Sequence, residues 1–266
     1  MRADWTVDQP LQDYTAADHA LWAELYARQS RLVRDYAAPV FVQSLHAMDC
    51  ADSIPSMEGM SKRLRAATGW EVVAVPGLLP DDVFFAHLAN RRFPSSWWIR
   101  TREELDYLVE PDVFHDIFGH VPLLFDPVFA DYLQQYGLAG PKAIAHDAVA
   151  VLARLYWYMV EFGLILVEGE VKAYGAGMLS SFGETQFSVD SLKPNRIGFD
   201  LHRVTRTRYW IDRFQSTYFV LDSFDQLFRS SIDTDFAPLY EAMKGVEPFA
   251  PDAVVGADRV IHRGIG

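Results

Sequence analysis

The chain has 266 residues, half of them hydrophobic, and 36 acidic against 24 basic side chains give it a formal net charge of −12. That length and apolar content suit a folded protein with one sizeable core and exclude intrinsic disorder. The acidic balance argues against nucleic acid and anionic membrane surfaces as partners, because both require a basic footprint.

Residues 1–14, MRADWTVDQPLQDY, read as an irregular arm. They lack a basic stretch followed by an apolar core, so no secretion signal is expected. Thr15 and Asp18 make a capping-box pattern, and the helix it opens carries Leu21, Leu25, Leu32 and Val33 at near-helical spacing. A second helix follows Pro39 through Val42 and Leu45. A third opens near Ser53 and Pro55 and runs to Ala67, with Thr68-Gly69 as its stop. Residues 70–75 are rich in β-branched side chains and end at Pro76-Gly77, which predicts a strand. A helix over 80–90 and a strand from Phe93 to Ile99 follow. Residues 107–111 read as a connecting loop, since Pro111 disfavours helical geometry at Glu110. Helices are predicted over 126–138 and 141–163. Residues 171–176 form a small-residue stretch, Gly177 to Glu184 turns into another segment, and 203–230 mixes helix and strand signals. The tail after Pro248 is punctuated by Pro and Gly and has no heptads, so a monomer is expected rather than a coiled-coil assembly. No apolar run reaches the roughly 18 residues of a membrane span. Cys50, the one cysteine, fits a reducing cytoplasm. The expectation is a single domain over 1–266, mainly α with a few short strands (α+β), with an N-terminal arm at 1–14 and an irregular tail at 248–266.

The densest chemistry lies in Pro111-Asp112-Val113-Phe114-His115-Asp116-Ile117-Phe118-Gly119-His120-Val121-Pro122. On a regular helix, five residues turn a side chain by about 140°, so His115 and His120 do not share a face as a zinc-protease pair does. Gly119 and Pro122 are poor helix residues, and a helix ending there would let His120 swing towards His115. The alternative is two core histidines bonded to backbone carbonyls. Two imidazoles in so apolar a segment each need a buried partner, which favours a metal. Two His and one carboxylate with open positions is the non-haem iron arrangement, although Zn(II) and Mn(II) accept the same donors. The candidate carboxylates are Asp112, Asp116, Glu161, Glu168, Glu170 and Glu184. Asp112 and Asp116 also suit helix capping. Glu161 stands in an almost wholly apolar run, where a carboxylate needs a metal or a partner such as Arg154 or Lys172. A zinc hydrolase and a non-catalytic binding protein remain as rival classes.

Three stretches in order, PDVFHDIFGHVP at 111–122, RLYWYMVEFGL at 154–164 and VKAYGAGMLSSFGE at 171–184, resemble the pterin-dependent aromatic amino acid hydroxylases. The likeness extends over residues 70–225, and the short arm and plain tail look like the compact bacterial, phenylalanine-hydroxylating members. The resemblance implies a catalytic domain of that family's type, converting L-phenylalanine to L-tyrosine with O2, Fe(II) and a tetrahydropterin. It implies that His115, His120 and Glu161 hold the iron. Arg100 would bind the substrate carboxylate with its guanidinium fork, Ser180 would position substrate and iron ligand, and Pro111 and Trp157 would line the ring pocket. Val75, Gly77, Leu78 and Leu79 would wall the pterin, with Phe84 stacked on it and Asp116 nearby. Two positions depart from the pattern. Asp116 stands where Glu is commoner, and Leu108 replaces a substrate-holding threonine.

Overall fold

The computed structural model describes residues 1–105, 108, 110–232 and 235–265. The arm carries only a short 3-10 turn at Leu11–Asp13, and Val7 N–H donates to the carbonyl of Ala74, which fastens the arm along the first strand. Helices α1 (Ala16–Tyr36), α2 (Pro39–Met48) and α3 (Met57–Ala67) follow. The Thr15–Asp18 capping box opens α1 as the sequence predicts, and its apolar face buries Leu21, Trp22, Leu25 and Val33. Burying a side chain such as Leu25 or Phe41 stabilises the fold by about 1.5–3 kcal/mol.

Strand β1 (Glu71–Val75), helix α4 (Asp81–Ala89) and strand β2 (Arg92–Ser96) come next, and β1 pairs in parallel with β2 so that Val75 lies opposite Ser96. The second strand ends at Ser96, short of the predicted Ile99. The Ser96 N–H and hydroxyl both donate to Asp116, which takes the strand edge away from further pairing. The loop expected at 107–111 includes Tyr107 and Val109, which lie outside the described residues.

The predicted helices at 126–138 and 141–163 are divided elsewhere. Helix α5 runs unbroken over Pro127–Ala145, the chain turns at Asp147, and α6 covers Val149–Tyr156. Gly137 and Gly140 are packing residues rather than breakers. A Cβ at Gly137 would overlap the backbone of Leu88 and Ala89, and one at Gly140 would overlap the ring of Phe85, so they admit α4 against α5. Beyond lie β3 (Leu164–Val167), β4 (Glu170–Ala173), α7 (Ala176–Leu179), α8 (Phe182–Asp190), β5 (Asn195–Gly198), α9 (Leu201–Thr205), β6 (Thr217–Leu221), α10 (Phe224–Ile232) and α11 (Phe236–Met243). The mixed signals over 203–230 are thus the end of one helix, a loop, a buried strand and another helix. The tail corrects the reading of 248–266 as irregular. It supplies β7 (Val260–His262), which pairs antiparallel with β5. Arg203 fastens the tail through a buried pair with Asp258 and a bond to the Ala253 carbonyl. The five strands run in the order β4-β3-β6-β5-β7. The fold is mainly α with a few short strands, and one contiguous core reaches from Leu21 to Tyr240. No helix among the described residues is long and apolar enough to cross a membrane.

Candidate metal centre

Two π-helical turns build the site. One spans His115–His120 and the other Trp157–Glu161. Their i→i+5 bonding, seen where Phe162 N–H donates to Trp157 O, widens the helix by one residue per turn. Residues five apart are therefore brought one turn apart, and His120 comes round to His115. The expectation that the helix ends at Gly119 is thus corrected. The segment stays helical but underwound, with more residues to the turn, and Pro122, which lacks an N–H, lies in the 3-10 turn that follows.

Glycines let the two turns and α7 close on one another. A Cβ at Gly119 would sit 2.8 Å from the carbonyl oxygen of Ala176, and one at Gly175 would overlap the Glu161 carbonyl. Through these approaches the three sequence motifs meet at one point.

His120 Nε2 lies 3.2 Å from His115 Nε2 and 3.2 Å from Glu161 Oε1, and His115 Nε2 lies 3.7 Å from Glu161 Oε2. One ligand atom from each residue falls within 4.8 Å of the other two, the reach of a single ion. Glu161 makes these contacts rather than pairing with Arg154, which bonds the Thr205 carbonyl, or Lys172, which pairs with Glu170.

The tautomer of His115 follows from its neighbour. The Ser180 hydroxyl donates to Ala176 O at 2.8 Å, so at 2.9 Å it accepts from His115 Nδ1–H. That leaves His115 Nε2 as a bare lone pair facing His120 and Glu161, as a metal ligand requires. Burial pushes the His115 pKa down to about 4, which keeps the ring neutral. Burial would raise the Glu161 carboxyl, but the two imidazoles outweigh it and hold it below its ordinary value. Burial opposes a charge on His120, but Glu161 outweighs it and pushes the His120 pKa up, so His120 shares a proton with Glu161. A bound metal would displace that proton, leaving two imidazole nitrogens and a carboxylate as donors that fit Fe(II).

The centre separates two clefts. The larger, about 430 Å³, is lined by Arg100, Pro111, His115, Trp157, Glu161 and Ser180, together with Leu108, Phe182, Glu184 and the 210–215 loop. The smaller, about 190 Å³, is lined by Val75, Gly77, Leu78, Leu79, Phe84 and Asp116, with His120 and Glu161 at its base. All the residues assigned from resemblance to one ligand therefore share one cleft. Asp116 is buried there, with its carboxyl pushed up to about 7 by burial.

The Arg100 guanidinium is already held on one edge. Its Nε and Nη2 make a bidentate pair with Asp112, each at 2.8 Å, and Asp112 also accepts from the His115 N–H at 2.9 Å. Asp112 thus occupies the Nε–Nη2 edge, and Nη1 has no partner among the described residues, which leaves that side of the guanidinium to a second carboxylate. Burial opposes the charge on Asp112, but Arg100 outweighs it and keeps the carboxyl below its ordinary value. The sequence reading offered Asp112 as a ligand or a cap. It caps the π-turn and holds the arginine. Sequence reasoning missed Phe93, whose ring lies 4.8 Å from that of His120, and Tyr209, which stacks on Trp157 at 4.4 Å. Neither stands in a motif, and only the fold brings them in.

Known proteins align with this arrangement. The family model described as biopterin-dependent aromatic amino acid hydroxylase matches residues 5–242. The chain is 55% identical over 265 residues to a phenylalanine-4-hydroxylase of Ralstonia nicotianae, covering 99% of this chain and 84% of that protein. A phenylalanine-4-hydroxylase of Caulobacter vibrioides is 51% identical over 264 residues, with 99% and 90% covered. The iron- and phenylalanine-bound crystal structure of phenylalanine hydroxylase from Chromobacterium violaceum superposes with a TM-score of 0.94 at 52% identity, covering 98% of this chain and 95% of that one.

Proposed function

The chain belongs to the biopterin-dependent aromatic amino acid hydroxylase family, and on that premise we propose that it is a monooxygenase converting L-phenylalanine to L-tyrosine with O2, a tetrahydropterin and Fe(II). The observation that carries the proposal is the His115–His120–Glu161 cluster standing between two clefts of unequal size. When bound, iron and the pterin supply the activation of O2 and its two electrons.

The chain's own residues do the rest. His115, His120 and Glu161 hold the metal and leave coordination positions open to both clefts. In the larger cleft, Arg100 Nη1 takes the substrate carboxylate while Asp112 fixes the guanidinium plane. Pro111 and Trp157 flank the ring, and Ser180 keeps the His115 lone pair turned to the metal. In the smaller cleft, Phe84 and residues 75–79 present a face for a flat pterin. Asp116, already bound to Ser96, reaches it through whatever accepting capacity remains. The apolar walls exclude water, which strengthens these contacts. The same reading takes residues 1–266 as one catalytic domain, a monomer in the cytoplasm.

The test is metal analysis after anaerobic purification, then pterin-dependent oxygen uptake with Phe, Tyr and Trp. Iron at stoichiometry and preferred turnover of Phe are expected, and His120→Ala or Glu161→Gln loses iron and turnover together. Stoichiometric zinc with no pterin-dependent uptake would overturn the hydroxylase reading. A clear preference for Trp would overturn the choice of substrate.

A further inference from the structure

Glu184 is a buried acid that the mechanism above does not use. It sits on α8 in the wall of the larger cleft. Its Oε1 accepts from two groups at once, the Gln215 N–H at 3.1 Å and the Tyr218 hydroxyl at 2.7 Å. A carboxylate so placed is costly, and Tyr218 in β6 would need only one acceptor. The bond from the Gln215 N–H reaches the end of the 209–216 loop.

That loop is closed on itself by the Gln215 side chain, whose Oε1 accepts from Trp210 N–H and whose Nε2 donates to Trp210 O. Phe214 packs on Phe187 of α8, with ring centroids 5.1 Å apart. The opening of the loop carries Tyr209, stacked on Trp157 at 4.4 Å with planes 15° apart. Trp210, Ile211 and Phe214 complete the cleft wall. The polar contacts thus run from Glu184 through Gln215 to Trp210, next to the residue that backs Trp157.

We propose that Glu184 is a positioning residue for the aromatic substrate: it pins the 209–216 loop to α8, and so sets the placement of Tyr209 behind Trp157 and the width of the amino acid cleft. The inference rests on the reading of the larger cleft as the amino acid site.

The test compares Glu184→Ala, Glu184→Gln and Gln215→Ala as iron-loaded enzymes. Leaving the Gln215 N–H and Tyr218 hydroxyl without an acceptor in Glu184→Ala is expected to raise KM for L-phenylalanine about tenfold, with kcat, KM for the pterin and iron content held near wild type. Glu184→Gln keeps an acceptor oxygen in place and is expected to restore KM. The near-ultraviolet circular dichroism of the Tyr209–Trp157 stack should weaken in Glu184→Ala and persist in Glu184→Gln. An unchanged KM in folded Glu184→Ala would overturn the proposal. So would equal rises in both KM values, or a glutamine variant as impaired as the alanine one. If Glu184→Ala does not fold, Gln215→Ala decides, because it cuts the tie to Trp210 without touching α8 and should give the same KM split. A wild-type enzyme without pterin-dependent turnover would defeat the hydroxylase reading instead, and the dichroism comparison would still decide the pin.

Discussion

Replacing Glu184 by glutamine should stabilise the fold in a pH-dependent way. Burial pushes the Glu184 carboxyl up from 4.5 to about 7, even though Tyr218 and Gln215 both donate to it. The difference, about 7 − 4.5 = 2.5 units, corresponds to roughly 3 kcal/mol at 1.36 kcal/mol per unit. Because the folded-state value lies above the unfolded one, the native state binds the extra proton between them. The contribution to stability is therefore fully present below about 4.5 and is lost as pH rises through about 7. Tyr218, the phenol facing Glu184, has its pKa pushed well up, chiefly by burial, and stays neutral over this range. Arg196 beside Tyr218 stays charged. Glutamine fills the same space, keeps an acceptor oxygen and has no charge to lose. The stability of Glu184→Gln relative to wild type should therefore be greater at pH 8 than at pH 5 by about 2–3 kcal/mol, or roughly 5–10 °C in Tm. Urea denaturation of metal-free wild type and variant at the two pH values measures it, provided the denaturant slopes agree. An equal difference at both pH values would refute the reasoning, as would a variant that loses ground on wild type as pH rises.

Three other substitutions probe the centre. Ser180→Ala removes the acceptor for His115 Nδ1–H, and iron affinity, read by chelator competition, should weaken by roughly 10-fold or more while the fold persists. Asp112→Ala leaves the Arg100 charge buried and uncaps the His115 turn, so stability in urea should fall by about 3–5 kcal/mol. Gly175→Ala drives a Cβ into the backbone of Glu161 and Gly163, neither of which can rotate away. It should cost about 1–3 kcal/mol and release iron, as judged by metal content after gel filtration.

Much of the fold is legible because local rules decided it. The Thr15–Asp18 box and the stop at Thr68-Gly69 satisfy their own backbone groups locally, and the β-branched run at 71–75 favours extended backbone before its partner strand is in place. Misplaced elements are those where a neighbour overrules local preference. Gly137, Gly140 and Pro141 look like the end of a helix, yet α5 continues through them because α4 needs the space the glycines leave. The metal centre divides along the same line. Residue types and motifs pointed to His115, His120 and Glu161, but regular helical geometry set the histidines about 140° apart. A π-turn is one residue wider than the periodicity by which helices are recognised, and it is held by contacts from elsewhere. Here those contacts are the approach of Ala176 to Gly119, the approach of Gly175 to Glu161, and the Asp112 cap. Since 171–184 supplies the surface on which both turns settle, the geometry of the iron site is encoded as much in its small residues as in the three ligands. A substitution at Gly175 should therefore resemble the loss of a ligand.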